Sequence, residues 1–406
     1  MAVGEASWPE IYTVDGVRLG VAAAGIKYEN RDDLLLMEIS EGSSVAGVFT
    51  QNDFCAAPVL SAKKNLSEFT PGYFIINSGN ANACTGEPGD MAVEACLQAV
   101  AEAGATSSAK VLPFSTGVIG EVLPAEKVVK ALPQAFASLS EENWRLAAEA
   151  IMTTDTRPKA VSRKIDIDGE SITITGIAKG AGMIRPNMAT MLAFIATDAK
   201  LCPQCVSSMS RVAANRSFNR ITIDGDTSTN DACMLIATGK SKAGPICEPG
   251  NDNFKLLQKA ITECYQSLAQ QIVRDGEGAT KFVSIHISCG ASSEEALSVG
   301  YAIANSPLVK TALFASDPNW GRLVAAIGNA GLENLDVAGI NVLLDEVLVV
   351  EKGKKAASYT EEKGQNIFNK SEFSINVSLG RGGAEETVWT SDLSHEYVTI
   401  NAEYRT

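Results

Sequence analysis

Histidine, positive charge and long apolar runs are scarce in this chain of 406 residues. It contains 2 histidines, and its 34 lysines and arginines are outnumbered by 48 aspartates and glutamates, for a formal net charge of −14 at pH 7. Nucleic acids and anionic membranes bind positively charged surfaces, so this balance argues against both as partners. An anionic small molecule needs only a local lysine or arginine. No apolar run approaches the roughly 18 residues that a membrane-spanning helix needs.

The first thirty residues and the cysteines together predict a cytoplasmic protein. Glu5, Glu10 and Asp15 occur early, and no basic stretch is followed by an apolar segment, so we expect no secretory signal. The nine cysteines are odd in number and scattered along the chain. Without a secretory signal they are expected to be reduced thiols, and disulfides are not expected.

The spacing of apolar residues predicts helices and one hairpin in the first two thirds of the chain. Helical spacing predicts amphipathic helices over 90–103, 138–152 and 251–274, the second opened by a capping box of Ser138 and Glu141. Strict alternation over 164–177 predicts a hairpin that turns at Asp168 and Gly169. This hairpin would deliver the chain to the glycine-rich segment that follows it.

The last third of the chain is predicted to be rich in strands. These are expected at 341–350, 373–379, 387–390 and 397–401. Elements alternate along the chain without a clean series of parallel βαβ units, which favours an α/β protein with layers of mixed or antiparallel sheet.

Residues 179–194, K-G-A-G-M-I-R-P-N-M-A-T-M-L-A-F, are the most informative segment. Threonine is a poor nucleophile without a nearby base. Cleavage between Ala189 and Thr190 would supply one, because the freed α-amine has a reference pKa of about 8 and lies on the residue that carries the hydroxyl. The hydroxyl can make this cut by attacking the Ala189 carbonyl in an N-to-O acyl shift, and glycine- and proline-containing backbone suits a strained peptide. The residue types alone also fit a buried strand with an unreactive threonine.

Further motifs extend along most of the chain and give this segment a context. They are F-T-Q-N-D-F-C-A-A-P-V (49–59), N-S-G-N-A-N-A-C-T-G (77–86), S-T-G (115–117), T-T-D-T (153–156), D-G-D-T-S-T-N-D (224–231), R-D-G-E-G-A-T-K (274–281), S-D-P-N-W-G-R (316–322) and H-E-Y-V-T-I-N-A-E-Y-R-T (395–406). In this order they resemble the ornithine acetyltransferase (glutamate N-acetyltransferase) family of the arginine pathway, which includes bifunctional members.

The resemblance implies a fold and a reaction. The fold would be sheets sandwiched between helices, of the self-cleaving N-terminal-nucleophile type, cut into an α chain (1–189) and a β chain (190–406) that assemble as an (αβ)₂ heterotetramer. Thr190 would take the acetyl group from N²-acetyl-L-ornithine and pass it to L-glutamate in a ping-pong reaction. The oxyanion hole would lie at Thr116 and Gly117, where a glycine N–H and a hydroxyl can aim two donors at one point.

The resemblance also implies the residues that bind the substrates. Lys179 would hold a substrate carboxylate and help to lower the pKa of the Thr190 amine, and Glu277 would bind the ammonium group. The other members of this set are Thr153, Asn401, Thr406 and Thr190 itself. No metal or organic cofactor is expected, since an amide donor and a covalent relay suffice. Some family members also use acetyl-CoA as donor, and the sequence does not decide whether this chain does.

Two alternatives stay open at this point. One is an aminopeptidase or amidohydrolase of the same fold, with water as acceptor. The other is a metal or redox module on Cys202 and Cys205, which have metal-ligand spacing but no second pair. His286, in an alternating segment, is expected to be structural, and His395 lacks the G-x-S-x-G segment of a serine hydrolase. Segment 224–231 lacks the spacing of a calcium loop, and we expect it to support the active site.

Overall fold

The computed structural model describes residues 2–4, 7–185 and 191–404. The strands in these ranges are β1 (Val17–Ala22), β2 (Leu34–Ile39), β3 (Ser44–Phe49), β4 (Tyr73–Asn80), β5 (Val111–Val118), β6 (Lys159–Ile167), β7 (Glu170–Lys179), β8 (Leu192–Thr197), β9 (Ile221–Thr222), β10 (Ala232–Ala237), β11 (Phe282–Gly290), β12 (Asn341–Leu344), β13 (Val347–Glu351), β14 (Lys354–Lys355), β15 (Glu372–Ser378) and β16 (Ala384–Ser391). The α-helices are α1 (Ala57–Glu68), α2 (Gly86–Ala103), α3 (Ala125–Ala137), α4 (Trp144–Ala150), α5 (Pro203–Asn215), α6 (Asp252–Arg274), α7 (Ser293–Ala304), α8 (Pro307–Phe314), α9 (Trp320–Gly328), α10 (Glu361–Phe368) and α11 (His395–Ala402). None of the helices in the described ranges is long and apolar enough to cross a membrane.

Two sheets face each other at the centre of the molecule. One has four strands in the order β1-β2-β4-β5, and the other has five in the order β3-β10-β8-β7-β6. Side chains of β8 alternate between two cores, because successive residues of a strand point to opposite faces. Leu192 and Phe194 pack between the two sheets, whereas Ala193 and Ile195 belong to the core on the other side.

Helices cover the outer faces of both sheets. Buried side chains of α2 and α3 pack on the four-stranded sheet, and those of α5 and α6 pack on the five-stranded sheet. A third sheet, in the order β14-β13-β12-β15-β11-β16-β9, forms its own core with α7 and α9. The predicted class, α/β with sheets layered between helices, is confirmed.

Two local predictions are confirmed, a hairpin turn and the start of a helix. Each depends on the backbone preferences of only a few neighbouring residues. The hairpin of β6 and β7 turns at Asp168 and Gly169, both with positive φ (56° and 83°), as a tight two-residue turn requires. Helix α6 begins at Asp252, where the Asn251 side chain accepts a hydrogen bond from the Phe254 N–H.

The predicted helix over 138–152 and the predicted strand over 397–401 are wrong. Ser138 is the C-cap of α3, and its hydroxyl accepts a hydrogen bond from Val21 N at 3.0 Å, so the helical part shrinks to α4. The segment 397–401 lies in α11, because the Ser394 hydroxyl accepts a hydrogen bond from the Tyr397 N–H and caps a helix there. In both places a hydrogen bond between a serine side chain and the backbone decides the local structure: Ser138 lies at the end of one helix, and Ser394 caps the start of another.

The expectation of reduced thiols is wrong for one pair of cysteines. Cys202 and Cys247 form a disulfide across a sequence separation of 45 residues. A parallel bridge between Leu201 and Ile246 brings the two segments together. This pairing is not visible in the spacing of the cysteines. The other seven are free thiols.

Candidate active site

A cavity lies where β5 and β7 end, opposite the loop after α6 and the last helix. Its lining includes all the predicted site residues that the structure describes, namely Thr116, Gly117, Thr153, Lys179, Glu277 and Asn401. They come from five separate parts of the chain. Ala189, Thr190 and Thr406 lie outside the described residues, so the cleavage junction, the nucleophile and the last binding residue stay predictions.

Lys179 is the last residue of β7 and connects two of the other site residues. The residue is 3% exposed. Its Nζ donates to Thr153 Oγ1 at 2.7 Å and to Thr116 Oγ1 at 3.3 Å, and it lies 3.9 Å from Asp155 Oδ2. One ammonium group therefore fixes the hydroxyls of the predicted oxyanion residue and of a predicted substrate contact.

A network of buried charged side chains, Asp155, Lys159 and Asp275, lies next to Lys179. Lys159 donates at 2.6 Å to Asp155 Oδ1 and at 2.6 Å to Asp275 Oδ2, and all three side chains are buried. Asp155 also accepts from the N–H of Gly180 at 2.7 Å, the residue after Lys179. Buried charges persist only when they are paired and hydrogen-bonded, and this network meets both conditions.

Burial and neighbouring charges set the protonation of this network. Burial opposes ionisation of Asp155, but the ammonium groups of Lys159 and Lys179 outweigh it and lower the pKa of Asp155 below its ordinary value. Burial lowers the pKa of Lys179, and the Asp155 carboxylate opposes that shift. Lys179 therefore gives up its proton more readily than a surface lysine.

Gly117 stands at a point of β5 that tolerates no side chain. Its φ is +139°, and a Cβ there would lie 2.2 Å from the carbonyl carbon of Gly79 on β4, its partner in the ladder. Near its end, β5 therefore adopts a backbone conformation at Gly117 that only glycine adopts readily. A glycine N–H at this point suits the predicted oxyanion hole, whose role stays a prediction.

Glu277 lies across the cavity between Gly276 and Gly278. Its side chain is mostly buried, and its Oε2 accepts from Asn401 Nδ2 at 2.7 Å. A Cβ on Gly182 would lie 2.4 Å from that same oxygen, which explains a glycine at this position in the run after Lys179. The structure therefore brings Glu277 and Asn401 together at one wall.

Two aspartates of the segment 224–231 hold the chain on both sides of residues 186–190. Asp224 accepts from the backbone N–H of Met183 at 2.6 Å and of Ile184 at 2.9 Å. Asp231 accepts from the N–H of Met191 at 3.0 Å. These hydrogen bonds give the segment a structural role beside the cavity, and its support of an active site stays a prediction.

Asp231 is an unusual carboxyl group. It is buried, and its Oδ2 has no hydrogen-bond partner among the described residues. Burial raises the pKa of Asp231 well above its ordinary value, and the Met191 N–H, the nearby Ser228 hydroxyl and Lys179 oppose this only in part.

Asn230 and Tyr404 also line the cavity and were not predicted. Asn230 Nδ2 donates to the carbonyls of Ala81 at 2.6 Å and Ser115 at 2.9 Å, and so braces the end of β5. Asn230 belongs to a motif that was singled out, so its amide was a usable signal. Tyr404 had no signal beyond its place near the end of the last motif.

The structure gives Cys202 and Cys205 no shared metal site among the residues that it describes. Cys202 is bonded to Cys247 and cannot ligate a metal as a thiolate, and Cys205 is a buried thiol. Within the described ranges, no group of three or more histidine, cysteine, aspartate or glutamate side chains could hold a metal ion. His286 pairs with Thr387 across β11 and β16, which confirms its structural role.

Comparison with known proteins places the chain in a family. The model of the ArgJ family matches residues 18–406. The chain is 55% identical to the arginine biosynthesis bifunctional protein ArgJ of Pseudomonas fluorescens over 406 residues, with 100% of both chains covered. It is 54% identical to the protein of the same name from Methylococcus capsulatus, covering 97% of this chain and 96% of that one.

Two solved structures are also similar, each at 34% identity. The arginine biosynthesis bifunctional protein ArgJ of Bacillus halodurans matches with a TM-score of 0.49, over 51% of this chain and 96% of that chain. Ornithine acetyltransferase of Mycobacterium tuberculosis, solved with ornithine, matches with a TM-score of 0.37, over 43% of this chain and 92% of that chain. The family model and the near-complete relatives decide the matter: this chain belongs to the ArgJ family.

Proposed function

We propose that this chain is an acetyltransferase of arginine biosynthesis that cleaves itself before Thr190 and moves an acetyl group from N²-acetyl-L-ornithine to L-glutamate. Family membership supports acetyl transfer in arginine biosynthesis. The observation that carries the rest is one cavity in which Lys179 binds the hydroxyls of Thr116 and Thr153 while Glu277 faces them.

The proposed reaction has two half-reactions on one nucleophile. The Thr190 hydroxyl attacks the acetyl carbonyl of the donor, its proton passes to the Thr190 α-amine and then to the departing ornithine amine, and an acetyl ester is left. The α-amine of glutamate attacks that ester, and the proton returns to the Thr190 oxygen. Thr116 and Gly117 stabilise the oxyanion of both tetrahedral intermediates.

The cavity supplies groups of both signs for the substrates. Both substrates carry an α-carboxylate, whereas an α-ammonium is present on glutamate and on released ornithine but not on the acetylated donor. Lys179 is a buried cation suited to the α-carboxylate. Glu277 is a mostly buried anion, held by Asn401 at 2.7 Å, and suited to an ammonium group. Thr153 and Thr406 complete the proposed substrate set.

Denaturing mass spectrometry of the purified protein tests self-cleavage. We expect two chains, 1–189 and 190–406, and one intact chain of 406 residues for Thr190→Ala, which lacks the hydroxyl that makes the cut. Thr190→Ala should also have no acetyl transfer. A cleaved and active Thr190→Ala protein would refute the proposal.

A single-turnover experiment distinguishes the transferase from an aminopeptidase or amidohydrolase. With N²-acetyl-L-ornithine alone, we expect about one ornithine per active site in a fast burst and then very slow release, because an ester shielded from water awaits an amine. Glutamate should restore turnover with parallel-line kinetics. Sustained turnover without glutamate would mean that water is the acceptor.

The remaining parts of the proposal concern co-substrate and assembly. We propose that acetyl-CoA serves as a second donor, in keeping with the bifunctional relatives, that no metal or organic cofactor is needed, and that the protein works in the cytoplasm. The two chains would assemble as an (αβ)₂ heterotetramer. Transfer from acetyl-CoA to glutamate by metal-free protein tests the first two points, and light scattering of the cleaved protein tests the assembly.

A further inference from the structure

A second cavity adjoins the candidate active site and contains two cations. Lys27 and Arg31 line it, together with Asp33 and Glu403. The two cavities share a wall, formed by Gly117, Val118, Thr153, Thr154 and Tyr404. The second cavity, which we name the side chamber, therefore lies directly beside the first.

Lys27 lies close to the predicted oxyanion hole. A Cβ built on Gly79 would lie 3.0 Å from Lys27 Cβ, and Gly79 is the ladder partner of Gly117. The chamber thus begins beside Gly117, the glycine of the predicted oxyanion hole. The phosphates of acetyl-CoA lie a full pantetheine arm away from the thioester, which is a poor match to this position.

The two cations have donors to spare. Lys27 Nζ donates to the Tyr404 carbonyl at 3.3 Å and lies over the rings of Tyr28 and Tyr404. Arg31 donates to the Met152 carbonyl at 2.5 Å. Among the described residues, neither has a carboxylate oxygen within ion-pair distance. An ammonium has three donors and a guanidinium has five, so most of them are left for a ligand.

One of the two carboxylates that line the chamber, Asp33, is already bound by the backbone. Both oxygens of Asp33 accept backbone N–H groups, from Ala24 and from Ile26, each at 2.6 Å. Asp33 therefore shapes the loop that carries Lys27 and does not neutralise its charge directly. Both cations are half-buried, which strengthens their attraction for an anion relative to open water.

We propose that the side chamber binds the side-chain carboxylate of the acceptor amino acid through Lys27 and Arg31. The inference rests on the proposed function, in which donor and acceptor react at the same nucleophile and share Lys179 for the α-carboxylate that both carry. They differ at the end of the side chain, where glutamate carries a carboxylate and ornithine an ammonium. A pair of cations at that point attracts the glutamate carboxylate and repels the ornithine ammonium, so it favours the acceptor there.

Steady-state kinetics with two acceptors tests this assignment. The acceptors are L-glutamate and L-glutamine, which have nearly the same shape and differ in the charge of the side-chain end. For Lys27→Gln and for Arg31→Gln we expect the KM for glutamate to rise about 10-fold or more, the loss of one charged hydrogen bond. The KM for N²-acetyl-L-ornithine should not rise and should fall if its side-chain ammonium also reaches these cations. The preference for glutamate over glutamine should fall in parallel.

Two control variants separate charge from packing. Lys130→Gln removes the same charge from the exposed face of α3 and should leave both KM values unchanged. Lys27→Arg retains the charge and should keep the preference for glutamate. If Lys27→Gln and Arg31→Gln raise the KM of both substrates equally, or of neither, the proposal is wrong.

Two other outcomes are distinguishable from these. A rise in KM for acetyl-CoA alone would assign the cations to a CoA phosphate and overturn the proposal. If the wild-type protein transfers no acetyl group from N²-acetyl-L-ornithine to glutamate, the proposed function itself fails, and this is seen before any variant is compared.

Discussion

Lys179 and Lys310 are both 3% exposed, but their surroundings differ. Lys179 contacts the hydroxyls of two predicted site residues and lies 3.9 Å from the Asp155 carboxylate. Lys310, on α8, donates to Thr390 Oγ1 at 3.1 Å and to the Ser391 carbonyl, and no described carboxylate lies within ion-pair distance of it. Lys179 lines a cavity, whereas Lys310 fastens α8 to β16.

The comparison teaches that burial does not mark a functional lysine, whereas its neighbours do. Burial lowers the pKa of Lys310 to about 8, with Asp392 opposing the shift. Burial also lowers the pKa of Lys179, and the Asp155 carboxylate opposes that shift. A shifted pKa alone would not separate the two residues.

Asp155→Asn should break the network under Lys179 and give the largest effect. It leaves the Lys159 and Lys179 ammonium groups without their shared carboxylate, and breaking a buried pair costs about 3–5 kcal/mol of unfolding free energy. Urea unfolding in a Thr190→Ala background, where the chain should stay intact, measures this loss. A loss below about 1 kcal/mol would mean that Asp275 alone sustains the network.

Thr116→Ala and Thr390→Ala form a matched pair, because each removes a hydroxyl that accepts from a buried lysine. Thr116→Ala should lower kcat by roughly 10²–10³, the effect of losing one oxyanion donor. Thr390→Ala should leave kcat unchanged and reduce stability by about 1–3 kcal/mol. A change confined to KM in Thr116→Ala would make Thr116 a binding residue.

Lys310→Met should alter how stability depends on pH. The folded pKa of Lys310, about 8, is below the ordinary value of 10.5, so the unfolded chain binds more protons between these values. Stability of the wild type should therefore rise with pH from about 8 to 10.5 relative to Lys310→Met, by about 3 kcal/mol in total. Unfolding of both proteins across this range measures the difference, and parallel curves would contradict the shift.

Glu149→Gln should have the smallest effect. Arg145 and Glu149 form an exposed pair one helical turn apart, at 3.0 Å. Such pairs contribute about 0.3–0.5 kcal/mol, and salt should screen even that. Loss of more than about 1 kcal/mol in the same urea assay would show that exposed charges matter here as buried ones do.

The features that could be predicted from the sequence are those encoded by neighbouring residues or by a long motif. The hairpin turn at Asp168 needs only local backbone preferences, and the motifs singled out Thr116, Lys179 and Glu277 before any geometry was known. The structure brings those side chains to one cavity, as the resemblance implied.

The network below the site could not be predicted, because its members are far apart in sequence. Lys159 forms an ion pair with Asp275, which is 116 residues away in the sequence, and no local pattern encodes that contact. The disulfide of Cys202 depends likewise on a bridge between distant segments. Polar and apolar residues alternate in segment 397–401 as they do in a strand. The segment is nevertheless helical, because Ser394 caps a helix that includes it.

The order of the five-stranded sheet has a consequence for how the protein comes apart. β3, β6 and β7 precede residue 189, whereas β8 and β10 follow residue 190 and lie between them. A cut between Ala189 and Thr190 would leave two polypeptides joined along the β7–β8 and β3–β10 ladders, with no described disulfide across the cut. Reassembly would then be second order in protein, so the melting temperature of the cleaved form would depend on concentration. The uncut chain, as a monomer, has no such dependence. Cleavage would therefore make refolding depend on protein concentration, and dilution would hinder recovery of the folded protein.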